Sequence, residues 1–310
     1  MTNVLKRLLA AAFVATVCPV LALAQGDEIF KVIACKGKVT LQRTNKAVSV
    51  GTGLTSADRL IMDGPVYVGL VHKSGKAVEV KAGQQMAVAD LLKQVSSKQT
   101  GMDKLVGFVV QSVVGANDGK NEMSGGAERS IAVNKVRMLA PRTSKVIDPD
   151  VTFSWAGNDG TTKEPTYIFT LTDDKQNVRF KKELKETSLA LNLNQLGLEK
   201  DKCYYWSVVQ ANSNAQSFES YCIYPVNDAE AAAINGQLSA IKQEQGNTPS
   251  ALDKLILASF FEQNGLTYKA LGAYKEAVAL GGDVEIFGAT YSQFLRRINM
   301  DSEAQKLMMK

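Results

Sequence analysis

Residues 203–210 read Cys-Tyr-Tyr-Trp-Ser-Val-Val-Gln, with a large aromatic or aliphatic side chain at every second position from Tyr204 to Val208. This period of two is typical of a β-strand that turns one face to a core. The same period recurs upstream in Val151-Thr-Phe-Ser-Trp155 and in Thr166-Tyr-Ile-Phe-Thr-Leu-Thr172. Short alternating segments separated by turn residues predict a β-sandwich over residues 135–226.

The core residues of this central region follow one another in a characteristic order. They are Phe153, Trp155, Tyr167, Phe169, Leu171, Leu196, Tyr204, Trp206 and Val208. Their order and spacing resemble those of fibronectin type III modules. The resemblance implies a two-sheet sandwich that spaces or presents other domains, and a fold of this kind assigns no chemistry by itself.

Residues 27–86 are rich in β-branched residues, and glycines interrupt them at short intervals. Two alternating segments flank Ser74-Gly75, which predicts an all-β domain with a hairpin at this turn. The turn and strand motifs resemble those of FecR-type periplasmic domains, namely Gly37-Lys-Val39, Val50-Gly-Thr-Gly-Leu54, Asp58-Arg-Leu60 and Val78-Glu-Val80. In FecR proteins this domain follows a transmembrane helix and relays a transporter's state to a sigma factor. We expect no such helix here, so that role is not carried over.

The segment 87–134 has a different pattern. Apolar residues recur at helical spacing in Val88–Val95 and in Asp103–Val113, which predicts a helical segment. Residues 115–127 are polar and glycine-rich. They predict a flexible linker, because such a segment buries too little apolar surface to offset its ordering entropy.

Residues 228–310 predict an all-α region that begins with a helix at 228–244. Residues 247–251 then start a second helix with a capping residue followed by proline. From there the chain resembles a tetratricopeptide repeat, at Leu257, Ala258, Phe261, Gly265, Ala270, Tyr274 and Ala277. Advancing by the 34-residue period of that repeat gives Tyr291, Leu295 and Ala304. Asn299 stands where the first repeat has Gly265, so the second repeat is partial.

The first 24 residues have the three parts of a secretory signal peptide. Lys6 and Arg7 form the positive segment, an apolar stretch follows, and Ala22-Leu-Ala24 offers the small residues for cleavage after Ala24. An uncleaved membrane anchor and a lipoprotein anchor at Cys18 are the alternatives. We expect a protein of the periplasm or cell envelope, with no membrane-spanning segment after cleavage. Without Lys6 and Arg7 the formal net charge falls from +5 to +3, which is too low to indicate nucleic-acid binding.

Three cysteines follow the signal peptide. If a hairpin is centred on Asn212-Ser213, Cys203 lies opposite Cys222, and opposed residues of two strands have Cβ atoms ~4.5–5.5 Å apart. An oxidising compartment then favours a disulfide between them. Cys35 is left over, and it is either a buried free thiol or the site of an intermolecular bridge.

No motif in the sequence indicates catalysis. His72 is the chain's one histidine, it has no cysteines or carboxylates at metal-ligand spacing, and we predict a solvent-facing strand residue. The carboxylate pairs Asp148/Asp150 and Asp173/Asp174 lie in turn contexts, where aspartate bonds nearby backbone donors. We therefore expect no catalytic, cofactor-binding or metal-binding residues.

Together these features predict a non-enzymatic scaffold or adaptor in an envelope assembly, which binds envelope proteins through its helical end. The exposed contacts expected there are Tyr268, Tyr274, Tyr291 and Arg296, with helix packing as the favoured alternative for Tyr274. A second hypothesis is a carbohydrate- or peptidoglycan-binding module, in which an exposed aromatic such as Tyr67 or Tyr205 stacks on a sugar ring. A third hypothesis is a FecR-like sensory component.

Overall fold

A computed structural model describes residues 27–81, 83, 85–95, 103–117, 136–157, 164–211, 220–245 and 248–309. Its N-terminal and central parts are built of β-sheets and its C-terminal part of helices, which confirms the predicted fold class at this coarse level. The predicted signal peptide, its cleavage site after Ala24 and Cys18 lie outside the described residues.

Five strands build the N-terminal sheet, in the order β2-β1-β3-β4, with β5 paired to the beginning of β3. They are β1 (Phe30–Leu41), β2 (Gly53–Leu54), β3 (Arg59–His72), β4 (Ala77–Val80) and β5 (Gln85–Ala87), and all pairings are antiparallel. The predicted turn at Ser74-Gly75 joins β3 to β4, and Gly75 adopts a φ of +88° that glycine tolerates without strain. The turn before β3 is closed by Asp58, whose carboxylate accepts the N–H and the hydroxyl of Thr55 at 2.8 Å each.

One face of this sheet covers a core of its own. A short helix, α1 (Val88–Leu92), closes that core with Val88 and Leu91. Aliphatic residues of the strands fill the rest, among them Val32, Leu54, Leu60, Val68, Leu70 and Val78. The N-terminal region therefore has a closed hydrophobic centre beneath one side of its sheet, and the opposite side is free to pack elsewhere.

The central region is a sandwich of two sheets, in the orders β10-β9-β12-β13-β7 and β11-β8-β6. The strands are β6 (Arg137–Ala140), β7 (Ser144–Val146), β8 (Asp150–Ala156), β9 (Tyr167–Thr172), β10 (Val178–Leu184), β11 (Ser188–Asn192), β12 (Tyr204–Gln210) and β13 (Tyr221–Pro225). Aromatic rings fill the space between the sheets. Phe153 contacts Phe169 edge-on with ring centroids 4.9 Å apart, and it contacts Trp206 in the same way at 5.1 Å.

The pairing of β12 with β13 differs from the prediction. Tyr204 lies opposite Ile223, and Cys222 lies opposite Tyr205 rather than Cys203. The predicted register is wrong by two residues, which leaves each side chain on its predicted face, because it rested on a turn position chosen from residue type alone. The sulfur atoms of Cys203 and Cys222 nevertheless lie at disulfide distance, with Cα atoms 5.6 Å apart.

Five helices make up the C-terminal region. They are α3 (Asp228–Glu244), α4 (Ala251–Gln263), α5 (Thr267–Gly281), α6 (Glu285–Arg297) and α7 (Asp301–Met308). Helix α4 begins at a capping box, in which the Ser250 hydroxyl accepts the Asp253 N–H at 3.1 Å and the Asp253 carboxylate accepts the Ser250 N–H at 2.9 Å. The pairs α4/α5 and α6/α7 are two consecutive helical hairpins.

The turns of these two hairpins repeat one another. In the first, the Gly265 N–H donates to the Glu262 carbonyl at 2.9 Å, and Gly265 has a φ of +71°. In the second, the Asn299 N–H donates to the Arg296 carbonyl at 3.0 Å, and Asn299 has a φ of +58°. Asparagine tolerates this left-handed conformation better than most residues. The departure from glycine at this position therefore preserves the turn, and the hairpins recur at the 34-residue period expected from the sequence.

A remaining helix, α2 (Asp103–Asn117), lies outside the C-terminal region in sequence but within it in space. It contacts α4, α6 and β1. The predicted linker at residues 115–127 therefore begins later than expected, because Gly115, Ala116 and Asn117 belong to α2, and residues 118–127 lie outside the described part of the chain.

Candidate functional site at the junction of sheets and helices

The outer face of the N-terminal sheet packs against the C-terminal helices. The buried side chains of this face that contact the helices come from β1 and β3, and they are Ile33, Ala34, Tyr67 and Val71. These side chains share one hydrophobic core with α2 and with α3 to α7. We call this shared core, with the polar contacts at its edge, the junction.

The best-connected polar group of the junction is the carboxylate of Glu79 on β4. Its Oε1 accepts the hydroxyl of Tyr67 at 2.7 Å and the backbone N–H of Leu252, in the first turn of α4, at 3.2 Å. Its Oε2 pairs with Lys81 at 2.8 Å. A carboxylate at a helix N-terminus satisfies an otherwise unpaired N–H and interacts favourably with the helix dipole. The sheet thus supplies a second cap to α4.

The electrostatics of these groups reflect that arrangement. Burial raises the pKa of Tyr67 far above its usual value, and the adjacent Glu79 raises it further. Burial alone would raise the pKa of Glu79 as well, but the hydrogen bonds from Lys81, Tyr67 and Leu252 outweigh it, so this pKa is lowered. Glu79 is therefore held in its charged form, with Tyr67 as a neutral donor.

A second cluster binds the helical hairpins to each other. Glu262 on α4 accepts the hydroxyl of Tyr274 at 2.7 Å, and Arg297 donates to both of its carboxylate oxygens, at 2.7 and 3.0 Å. The bidentate geometry is the stronger form of an arginine–carboxylate pair. Burial, followed by Glu262, raises the pKa of Tyr274 far above its usual value. This cluster joins α4, α5 and α6.

The junction changes the interpretation of two predicted partner contacts. Tyr274 is fully buried and Tyr291 is 7% exposed, with their rings stacked at a centroid distance of 6.0 Å. The prediction that they are exposed contacts is wrong, because each ring packs helix against helix. The favoured alternative for Tyr274 is the one that the structure supports.

Tyr268 and Arg296 have different surroundings. Tyr268 is half-buried between α5 and the sandwich, where its hydroxyl accepts the Thr152 N–H at 3.2 Å and its own N–H donates to the Ser144 hydroxyl at 3.0 Å. It is an internal contact between regions of the chain. Arg296 is exposed near the end of α6, as a partner contact requires, and its role as such a contact stays a prediction.

His72 is buried, not solvent-facing as predicted. Its Nδ1 accepts the Ser74 N–H at 3.0 Å and lies 2.9 Å from the Ser74 hydroxyl, while its ring meets Phe30 edge-on. Burial lowers the pKa of His72, with a smaller contribution from Lys73. A neutral ring that closes the β3–β4 turn accounts for these contacts.

Two further residues bear on the alternative hypotheses. Tyr67 is 8% exposed, so its predicted role in stacking on sugars is wrong. Tyr205 is half-buried on the opposite face of β12 from the aromatic core.

Cys35 is a free, half-buried thiol whose Sγ lies 3.5 Å from the Val48 carbonyl, and burial raises its pKa. These surroundings are those of an unreactive thiol.

Helix α2 packs in the groove between the first helices of the two hairpins, α4 and α6, and it also contacts β1. Its buried side chains are Leu105, Val109 and Val113, spaced four residues apart. Its 15 residues include five valines and two glycines. Together these seven residues make the helix about 5 kcal/mol less favourable than alanine would at the same positions. The helical spacing of its apolar residues predicts the helix but not this position.

Among the described residues there is no group of three or more histidine, cysteine, aspartate or glutamate side chains that could hold a metal ion. No helix within the described ranges is long and apolar enough to cross a bilayer. No protein-family model matches the chain, and no curated protein matches its sequence. The resemblances to FecR domains, fibronectin type III modules and tetratricopeptide repeats therefore stay predictions.

Proposed function

We propose that this chain is a non-enzymatic scaffold or adaptor of the cell envelope, which binds protein partners through its helical end. The observation that carries the proposal is the junction. One hydrophobic core unites the outer face of the N-terminal sheet with α2 and with both helical hairpins. Such a core holds binding surfaces of different regions in a fixed mutual arrangement, which is what a scaffold requires.

Contacts to the sandwich extend this arrangement. Lys145 on β7 donates its N–H to the Gly265 carbonyl at 2.9 Å, and its ammonium pairs with Glu230 on α3 at 2.6 Å. Arg137 on β6 pairs with Glu303 on α7. The helices thus contact both β-regions, and the two hairpins with their 34-residue period support the tetratricopeptide-like identity that we propose for them.

The remaining parts of the proposal come from the sequence. We propose a fibronectin type III-like module for residues 135–226, a FecR-like domain for residues 27–86, and export to the periplasm by a cleaved signal peptide. A fibronectin-like spacer and a helical repeat are common elements of proteins that organise others, whereas none of these folds determines a reaction.

A photo-reactive amino acid at position 296 tests the proposal in intact cells. Arg296 is exposed at the helical end, so we expect a discrete adduct whose partner mass spectrometry identifies. The matched control is the same amino acid at position 178 on the sandwich, where Val178 is 58% exposed. No adduct at 296, or the same adducts at both positions, would contradict binding through the helical end. Deleting residues 228–310 is not a suitable test, because it removes most of the junction.

A further inference from the structure

We propose that helix α2 is an exchangeable occupant of the groove between α4 and α6, and that a partner's amphipathic helix replaces it there. The inference deepens the proposed function and rests on it, since it names the class of partner and a control on its access. The expected partner presents aliphatic side chains at positions i, i+4 and i+8. This is the pattern that α2 itself places in the groove, with Leu105, Val109 and Val113.

The position of α2 is the first argument. Helices α4 and α6 are equivalent members of two repeated hairpins, and α2 contacts both of them. It comes from a distant part of the chain, between the N-terminal sheet and the sandwich. A helix seated in an apolar groove by a few regularly spaced side chains is a common mode of peptide recognition. Here that mode is realised within one chain.

The contacts that hold α2 against the C-terminal helices are mostly apolar. The hydrogen bond found between α2 and the C-terminal helices, within the described residues, runs from the Gln263 side chain to the Lys104 carbonyl at 3.4 Å. By contrast, the hairpins are joined to each other by the bidentate pair of Arg297 with Glu262. Apolar contacts are non-directional, so another helix with the same spacing reproduces them.

The low helix propensity of α2 is the third argument. A helix of this length and composition is marginal on its own, and its docking supplies most of its stability. Loss of the docked contacts of α2 therefore also removes its helical structure, as a local opening with its own free energy. Opening α2 exposes the groove without breaking the Glu262 cluster, because Tyr274 and Arg297 lie on the other helices.

The probe is a fluorescein-labelled peptide with the sequence of residues 103–117, added to the full chain and followed by fluorescence polarisation. In the wild type the tethered α2 competes with the peptide at an effective concentration of ~1 mM, so binding is weak. Val109→Asp places a charge at a fully buried position of α2, and we expect at least ten-fold tighter binding of the peptide. The control Gln111→Asp changes an exposed position of the same helix, and we expect wild-type affinity.

A Val109→Asp chain that keeps its helical circular dichroism but binds the peptide no more tightly than the wild type overturns the proposal. If that variant does not fold, amide hydrogen exchange of the wild type decides instead. Amides of α2 that exchange at least ten-fold faster than those of α4 and α6 support the proposal, and equal protection overturns it. Neither readout uses the adduct at position 296, so failure here is distinguishable from failure of the adaptor function.

Discussion

Replacing Glu79 with glutamine removes the charge to which both Tyr67 and α4 are bonded. A hydrogen bond to a charged acceptor contributes about 1.5–3 kcal/mol, and a neutral one about half as much. Glutamine keeps an acceptor oxygen, while the pair with the largely exposed Lys81 contributes little. We therefore expect Glu79→Gln to lower the free energy of unfolding of the junction by about 2 kcal/mol. Tyr67→Phe should cost a similar amount and leave the ring contact with Phe287 intact.

Urea unfolding followed by two probes measures this effect. Circular dichroism at 222 nm reports the helices, whereas tryptophan fluorescence reports the sandwich, since both tryptophans, Trp155 and Trp206, are buried there. The loss should therefore be larger in the helical signal. A double-mutant cycle of Glu79→Gln with Tyr67→Phe isolates the bond itself. A coupling free energy below about 0.5 kcal/mol would refute the inference that the hydrogen bond from Tyr67 to the charged carboxylate of Glu79 stabilises the junction.

The pH dependence of the same variant has a definite sign. Because the pKa of folded Glu79 lies below its ordinary value of 4.5, the stabilisation by its charge is present above pH 4.5 and is lost as the pH falls through the lower folded pKa. The difference in stability between the wild type and Glu79→Gln should shrink over that interval. An unchanged difference at acidic pH would contradict the assignment.

Three further predictions concern packing, the disulfide and a turn. Gly281→Ala places a methyl group against the ring of Phe287 and should destabilise the helices by about 1–3 kcal/mol. The control Gly272→Ala lies in the same helix, where a Cβ meets no atom within 4 Å, and it should stabilise the helices by about 1 kcal/mol. Thermal unfolding compares the two variants. Cys203→Ser should cost the sandwich about 3 kcal/mol, measured by tryptophan fluorescence, and a reductant should then have no added effect. Asp58→Asn should cost about 1–2 kcal/mol. Hydrogen bonds and a nearby arginine lower the pKa of Asp58 despite its burial, so this cost should decline below its ordinary pKa of 3.8 and vanish as the pH falls through the lower pKa of the folded state.

Local patterns predicted the strands of the sandwich and the helical hairpins, since their alternation and periodicity are properties of neighbouring residues. The two-sided burial of β3 was missed, although the sequence contains a signal for it. All seven residues from Val66 to His72 are buried, and an uninterrupted apolar run is typical of a strand covered on both faces. That run indicates a second layer but not which segment provides it, because the contact of Glu79 with Leu252 spans 173 residues.

The misplaced side chains have a common cause. Tyr67, His72 and Tyr291 were assigned to the surface from residue type and position in an element, whereas each is covered by another element. The register of β12 with β13 was missed for a related reason. Alternation determines which face a residue occupies, but not the partner directly opposite it.

The order of the chain gives the junction a consequence for protein synthesis. The outer face of β3 leaves the ribosome long before its cover, since Leu252 follows Glu79 by 173 residues and Asp283 follows its partner Lys36 by 247. Until then the nascent chain carries an apolar sheet face that attracts chaperones or other nascent chains. A product terminated before α4 would keep that face permanently, so incomplete copies should aggregate or be degraded while complete copies remain dispersed.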